Sequence, residues 1–130
     1  MKLETFEAKR ETYKLNRETP LMVRVTARRE WNNKQTGQIS HFLEVGQEVG
    51  IFFSERYPGS IFIKTDSAVL IGKVSFAHKY LEGFRKPPTM KTLNKWSWDG
   101  IARSVLNQKV EPDGWDCFGS PSYLLVYGII

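Results

Sequence analysis

The pattern of apolar and polar positions divides the chain near residue 75. Between residues 20 and 74, short runs of β-branched and aromatic residues alternate with turn-forming stretches such as Asn-Asn-Lys-Gln-Thr-Gly and Tyr-Pro-Gly-Ser. This arrangement is typical of short strands joined by tight turns. Five strands are predicted, at residues 21–31, 38–45, 51–56, 61–65 and 68–74. They indicate a small antiparallel meander that curls into a barrel.

After residue 75 the apolar positions follow a helical period. Ser75 is a candidate N-cap, and the apolar residues at positions 76, 77, 80, 81 and 84 predict an amphipathic helix over residues 75–84. A second helix is predicted between Thr89 and Gly100, because Thr89 can cap its first turn and Gly100 can adopt the left-handed conformation that ends a helix. Its apolar face is formed by Met90, Leu93 and Trp96.

The other face of the second helix is polar and basic. It carries Lys91, Asn94, Lys95 and Trp98. A short helix with an apolar back and a lysine and asparagine front has the size and chemistry to enter a DNA major groove. The alternative is a surface helix whose charges only keep the chain soluble, and periodicity alone does not separate the two.

The flanking segments are assigned by composition. Residues 101–111 predict a β-hairpin wing, and residues 111–121 predict a loop. The apolar residues of 122–130 predict a buried terminal strand, with a self-association surface as the alternative, because such a patch would be sticky in water. Residues 1–19 are rich in Glu, Lys, Arg and Thr and predict a frayed helix or an extended arm.

Positive charge concentrates around the second helix. Residues 85–109 hold six basic residues and one acidic residue, Asp99, so their net charge equals the +5 of the whole chain. Such a segment attracts a polyphosphate through counterion release, although an acidic protein would be attracted too. The apolar runs fall far short of the roughly 20 residues that cross a bilayer, and the N-terminus lacks a signal-peptide core. With Cys117 as its single cysteine, the chain is expected in the cytoplasm, without a membrane partner.

No catalytic chemistry emerges from the remaining motifs. Glu111, Asp113 and Asp116 offer hard oxygen ligands, but they lack the spacing of a calcium loop, so a solvated turn is the better interpretation. Cys117 has no evident histidine partner, and no phosphate-binding loop or dinucleotide fingerprint occurs. We therefore expect no enzyme activity, no metal and no cofactor.

Two stretches of the C-terminal half follow a known pattern. They are Ser75-Phe76-Ala77-His78-Lys79-Tyr80-Leu81 and Lys91-Thr92-Leu93-Asn94-Lys95-Trp96 with Asp99-Gly100. Over residues 75–111 the chain resembles the excisionase/MerR-type winged helix-turn-helix family. That family has a capped first helix, a second helix of the type Thr-Leu-x-x-Trp, a glycine shortly after it and a hairpin wing.

The resemblance implies a mode of DNA binding. In that family the second helix enters the major groove and the wing lies over the adjacent minor groove. Carried over to this sequence, Lys91, Asn94 and Lys95 would read base edges. Phosphate contacts would come from Arg85, Lys86, Arg103 and Lys109. If the target is single-stranded, Trp98 could serve as a base-stacking platform.

The sequence as a whole predicts an α+β protein. It consists of an arm (residues 1–19), an antiparallel β meander similar to an SH3 or OB barrel (20–74) and a winged helix-turn-helix-like subdomain with an apolar C-terminal strand (75–130). The expected function is non-enzymatic DNA binding and transcription regulation, as in a small phage or mobile-element protein acting in the host cytoplasm. The alternatives are a module that captures a host enzyme or polymerase through Trp98 and the tail, and a small virion structural protein.

Overall fold

The computed structural model describes residue 11, residues 14–15 and residues 19–129. Most of the predicted N-terminal arm, residues 1–19, lies outside these described residues. The strands within them are β1 (Leu21–Arg24), β2 (Arg29–Asn32), β3 (Ile39–Leu43), β4 (Glu48–Phe53), β5 (Ser60–Lys64), β6 (Val69–Lys73), β7 (Ala102–Arg103) and β8 (Lys109–Val110). The helices are α1 (Val74–Ala77), α2 (Met90–Asp99) and α3 (Tyr123–Val126). None of these helices is long and apolar enough to cross a membrane.

A four-stranded antiparallel sheet forms the centre of the protein. Its strands lie in the order β1-β4-β5-β6. The strands β2 and β3, which lie between β1 and β4 in the sequence, form a separate hairpin. The predicted strand over residues 21–31 is therefore two strands, and the sheet is not a simple meander. Five consecutive residues of β4, from Val49 to Phe53, are buried, as expected for a strand covered on both faces.

Other parts of the chain contact both edges of this sheet. At the β6 edge, the Trp31 Nε1–H of the β2–β3 hairpin donates to the Ile71 carbonyl at 3.0 Å. At the β1 edge, Val25 bridges to Leu81, and the Thr26 N–H donates to the Tyr80 carbonyl at 2.9 Å. These bonds satisfy the Ile71 carbonyl and the Thr26 N–H, which could otherwise pair with another chain.

The pairing at the β1 edge corrects the predicted first helix, residues 75–84. Only Val74–Ala77 is helical. Residues 79–81 form a turn on Phe76 and Ala77, and the chain then pairs with β1, because the Glu82 N–H donates to the Arg24 carbonyl at 2.9 Å and Leu81 bridges to Val25. Of the apolar residues that suggested a helical face, Phe76 is exposed and the others, Ala77, Tyr80, Leu81 and Phe84, are buried. Without that first helix no winged helix-turn-helix is evident, so the predicted α+β class is wrong and the fold is predominantly β.

The predicted C-terminal strand is also wrong. Residues Tyr123–Val126 form the one-turn helix α3, because the Ser122 Oγ accepts the Leu125 N–H at 3.2 Å and caps the turn. Tyr123 and Leu124 are fully buried, and the Tyr123 hydroxyl donates to the Arg85 carbonyl. Burial of the tail is thus confirmed for these two residues, but the described tail offers no strand through which copies could associate.

One cluster of buried side chains joins the two halves of the chain. It runs from Val25 and Leu43 in the β half to Leu93, Val105 and Leu124 in the C-terminal half. The predicted hairpin at residues 101–111 is present but short, with two residues in each strand, and Arg103 lies opposite Lys109. The C-terminal half therefore packs as an extension of the β core.

A buried polar network fixes the hairpin to the loop that follows it. The Asp116 carboxylate accepts from the Ser104 Oγ at 2.6 Å, from the Phe118 N–H at 2.9 Å, from the Ser120 N–H at 3.0 Å and from the Ser120 Oγ. Ser104 and Ser120 are fully buried. Asp116 is therefore used as a structural acceptor, and no three metal-ligating side chains are grouped among the described residues.

Gly72→Ala should destabilise the sheet. An added Cβ would lie 2.6 Å from the Tyr80 Oη. Tyr80 is buried, and this burial raises the pKa of its hydroxyl to about 12. Because the ring cannot move outward without opening the core, we expect the free energy of unfolding to fall by about 1–3 kcal/mol in chemical denaturation. Gly59→Ala is the matched control, since its Cβ would meet only the Val126 carbonyl oxygen at 3.8 Å. Equal stability of the two variants would contradict the packing of Tyr80 under β6.

Asp116→Ala should cost on the order of 3 kcal/mol, because it leaves buried serine hydroxyls and backbone N–H groups without their charged acceptor. The control is Asp113→Ala, which removes an exposed carboxylate of the same loop. Thermal unfolding of both variants measures the difference. If the two variants melt together, the Asp116 network does not hold the loop.

Candidate nucleic-acid interface

Helix α2 forms where the sequence predicted it. The Thr89 Oγ1 accepts the Thr92 N–H at 3.3 Å, which satisfies one free donor of the first turn. At the other end Gly100 has a φ of 73°, and its N–H donates to the Trp96 carbonyl at 3.1 Å. The helix spans Met90–Asp99, so its predicted start and end are confirmed.

The apolar face of α2 anchors the helix at two points. Leu93 is 1% exposed and belongs to the main core, while Trp96 is half-buried against it. The Arg85 guanidinium lies over the Trp96 ring, 5.1 Å from its centroid. Met90 was predicted on this face but is exposed, because it is the first helical residue and lies beyond the core that Leu93 and Trp96 reach.

The opposite side of α2 presents a single stripe, which we call the α2 stripe: Lys91, Asn94, Lys95 and Trp98. Their spacing of three, four and seven residues places them along one side of the helix. All four are exposed, and Trp98 is 89% exposed. None of these side chains makes a hydrogen bond or an ion pair with another described residue. The stripe is therefore free to contact a partner.

The charges of α2 oppose the stability of the helix itself. Lys91 lies in the first turn, where the helix dipole is positive, and Asp99 lies in the last turn, where it is negative; the first turn has no acidic residue and the last turn no basic one. Lys91 and Lys95 are also like charges four residues apart, which weakens an isolated helix. Lys91 therefore does not help the helix fold, and its charge remains exposed.

The remaining predicted contacts lie around the β7–β8 hairpin. Asn107, which has a φ of 63°, accepts from the Arg85 Nη1 through its side chain at 2.9 Å and from the Arg103 Nη1 through its carbonyl at 3.3 Å. Lys86 and Lys109 are exposed. Arg85 is half-buried and engaged by both Asn107 and Trp96, so it positions this region more than it offers a free charge.

A second group of basic and aromatic residues was missed in the sequence. It lies where α1 meets the β2–β3 hairpin and consists of Arg28, Arg29, Lys73, Phe76, Lys79 and Tyr80, which we call the basic–aromatic groove. Phe76 was assigned to an apolar helix face, yet it is 45% exposed. The adjacent Arg28-Arg29 pair was a visible signal, but the pattern of the chain does not show that it lies beside Phe76.

The α2 stripe lies on one helix, and Arg85 and Arg103 are joined through Asn107. No side-chain hydrogen bond between described residues connects these two groups. Comparison of the chain with protein-family models, with curated proteins and with solved structures finds no match to any of them.

Proposed function

We propose that this chain binds nucleic acid, with duplex DNA as its main target, through the α2 stripe and without catalysing a reaction. The single observation that carries the proposal is the stripe itself: two lysines and an asparagine, exposed on one side of a well-capped helix and unpaired with any described residue. Their charges disfavour the isolated helix, which is the pattern expected where a polyanion completes the site.

The geometry of a helix in a groove accounts for the side chains on the stripe. The major groove of B-DNA is wide enough to admit an α-helix. Asn94 can pair with an adenine edge, and Lys91 or Lys95 can donate to a guanine edge. Lys86, Arg103 and Lys109 would contact phosphates, which fix orientation and carry no sequence information. Arg85 would support them through its bonds to Asn107.

The wider role is that of a small regulator. The resemblance to excisionase-type proteins now rests on α2 and the glycine after it, because the predicted first helix is a closing segment of the sheet. That remaining likeness supports a regulatory protein of the phage or mobile-element kind, acting in the cytoplasm. The protein would dock on DNA through the single helix α2, which the β core holds in place.

A protein-binding module is the second candidate, and one observation favours it. Around α2 the apolar residues Met90, Trp98 and Ile101 are 60%, 89% and 47% exposed. Large exposed aromatic side chains are enriched at the centres of protein interfaces. Salt separates the two functions: DNA binding should weaken steeply as salt rises, whereas an aromatic-anchored protein contact should change little.

Replacing both lysines of the stripe tests the proposal. In Lys91→Ala with Lys95→Ala, affinity for a labelled duplex should fall by about 10- to 100-fold, because two phosphate or base contacts are lost. For each of the two lysines that contacts a phosphate, the slope of log affinity against log salt should become shallower by roughly 0.9. Fluorescence anisotropy at several salt concentrations measures both quantities.

The control removes the same charge elsewhere. Lys34→Ala with Arg56→Ala takes two exposed basic residues from turns of the β half and should leave duplex affinity nearly unchanged. The thermal midpoint of the stripe variant should stay the same or rise slightly, since a like-charge pair is removed from α2. If the two double variants bind the duplex with equal affinity, α2 is not part of the DNA interface.

A further inference from the structure

The basic–aromatic groove is assembled from three separated parts of the chain. Arg28 and Arg29 come from the start of the β2–β3 hairpin, Lys73 ends β6, and Phe76, Lys79 and Tyr80 belong to α1 and the segment after it. Arg28, Arg29, Phe76, Lys79 and Tyr80 line a cavity of about 300 Å³. The closure of the sheet at Tyr80 and Leu81 is what brings α1 beside the hairpin.

Phe76 is held outward by the residues on either side of it. Val74 and Ala77 are both fully buried, so they fix the single turn of α1 against the core. The Phe76 ring is left 45% exposed, with the Lys79 Nζ at 5.0 Å and the Lys73 Nζ at 5.8 Å from its centroid. Both ammonium groups lie over the ring at cation–π distance, and the remainder of the ring is open to solvent.

The charges of the groove are only partly neutralised by the protein. Arg28 is paired with Glu30 at 3.2 Å and with Glu44, and it also covers the Phe42 ring. Arg29, Lys73 and Lys79 have no ion-pair partner among the described residues. Arg29 lies over the rings of Trp31 and Tyr80, at 5.4 and 5.6 Å, which holds its guanidinium at the edge of the groove.

We infer that the basic–aromatic groove binds single-stranded nucleic acid, with a base stacked on Phe76 and phosphates beside Arg29, Lys73 and Lys79. A half-exposed ring with cations over it fits a polyanion whose units carry flat faces, because the two lysines would move from the ring to the phosphates as a base stacks on Phe76. Base–aromatic stacking accepts any base. A duplex cannot use Phe76, because its base faces are hidden within the stack. An acidic peptide could pair with the cations but has no regular series of flat faces.

This inference stands apart from the proposed function of α2. The basic–aromatic groove consists of different residues. It requires unpaired bases, whereas the α2 stripe requires the major groove of a duplex. The two surfaces can therefore be tested in the same full-length protein, with a labelled twelve-nucleotide oligothymidine as the single-stranded probe and a mixed-sequence duplex as the other. Anisotropy titrations at two salt concentrations measure affinity and its salt dependence for each probe.

Phe76→Ala should weaken oligothymidine binding by about tenfold or more, since it removes the stacking platform. Phe76→Trp should retain or strengthen binding, because indole is a larger stacking surface. Lys73→Ala with Lys79→Ala should reduce the salt slope by about 1.4, at roughly 0.7 per phosphate contact of a single strand. Phe76→Ala should leave duplex affinity unchanged, and the Lys91→Ala, Lys95→Ala variant should leave oligothymidine affinity unchanged.

Phe42→Ala is the matched control, because Phe42 is 50% exposed and lies under an arginine, but that arginine is already paired with two glutamates. Thermal unfolding of each variant confirms that the fold is retained. The inference is overturned if the wild-type chain does not bind oligothymidine, if Phe76→Ala binds it as the wild type does, or if Phe42→Ala weakens it equally. Loss of oligothymidine binding in the α2 variant alone would assign single-strand binding to α2 and overturn it as well.

Discussion

Closure of the sheet at the β1 edge determines most of what the rest of the molecule can do. Thr26 turns away from β4 and pairs with the Tyr80 carbonyl, while Glu82 pairs with Arg24. These backbone bonds add residues 80–82 to the β1 edge, and the residues between α1 and Tyr80 form only a turn. The same closure buries Tyr80 and Leu81, sets Phe76 at the surface and leads the chain toward α2.

Local signals predicted what depends on local structure. Helix α2 has its predicted bounds because a capping threonine and a terminal glycine act within one turn of the residues they stabilise. Four of the five predicted strands of the β half correspond to β3, β4, β5 and β6, because turn residues separate them, whereas the predicted strand at residues 21–31 is divided into β1 and β2. The exposed side of α2 followed from the helix period, since Leu93 and Trp96 settle which face is buried.

The errors arose where a distant partner decided the outcome. Nothing in Ser75–Leu81 reveals that β1 would bind it, so a helical period was expected to continue. The tail was predicted as a strand because it is strongly apolar, yet Ser122 caps it as a helical turn and Tyr123 reaches the Arg85 carbonyl. The groove beside Phe76 was missed for the same reason, since its arginines come from a hairpin far away in sequence.

The distribution of carboxylates explains why two separate surfaces remain positive. Asp116 is occupied by serine hydroxyls and backbone donors, and Glu30 and Glu44 are paired with Arg28. These acids are used within the fold, while Lys91 and Lys95 on α2 and Lys73 and Lys79 beside Phe76 are left without acidic partners among the described residues. The exposed charge of these lysines is the feature on which both proposals depend, one requiring a groove for the helix and the other an unstacked base for the ring.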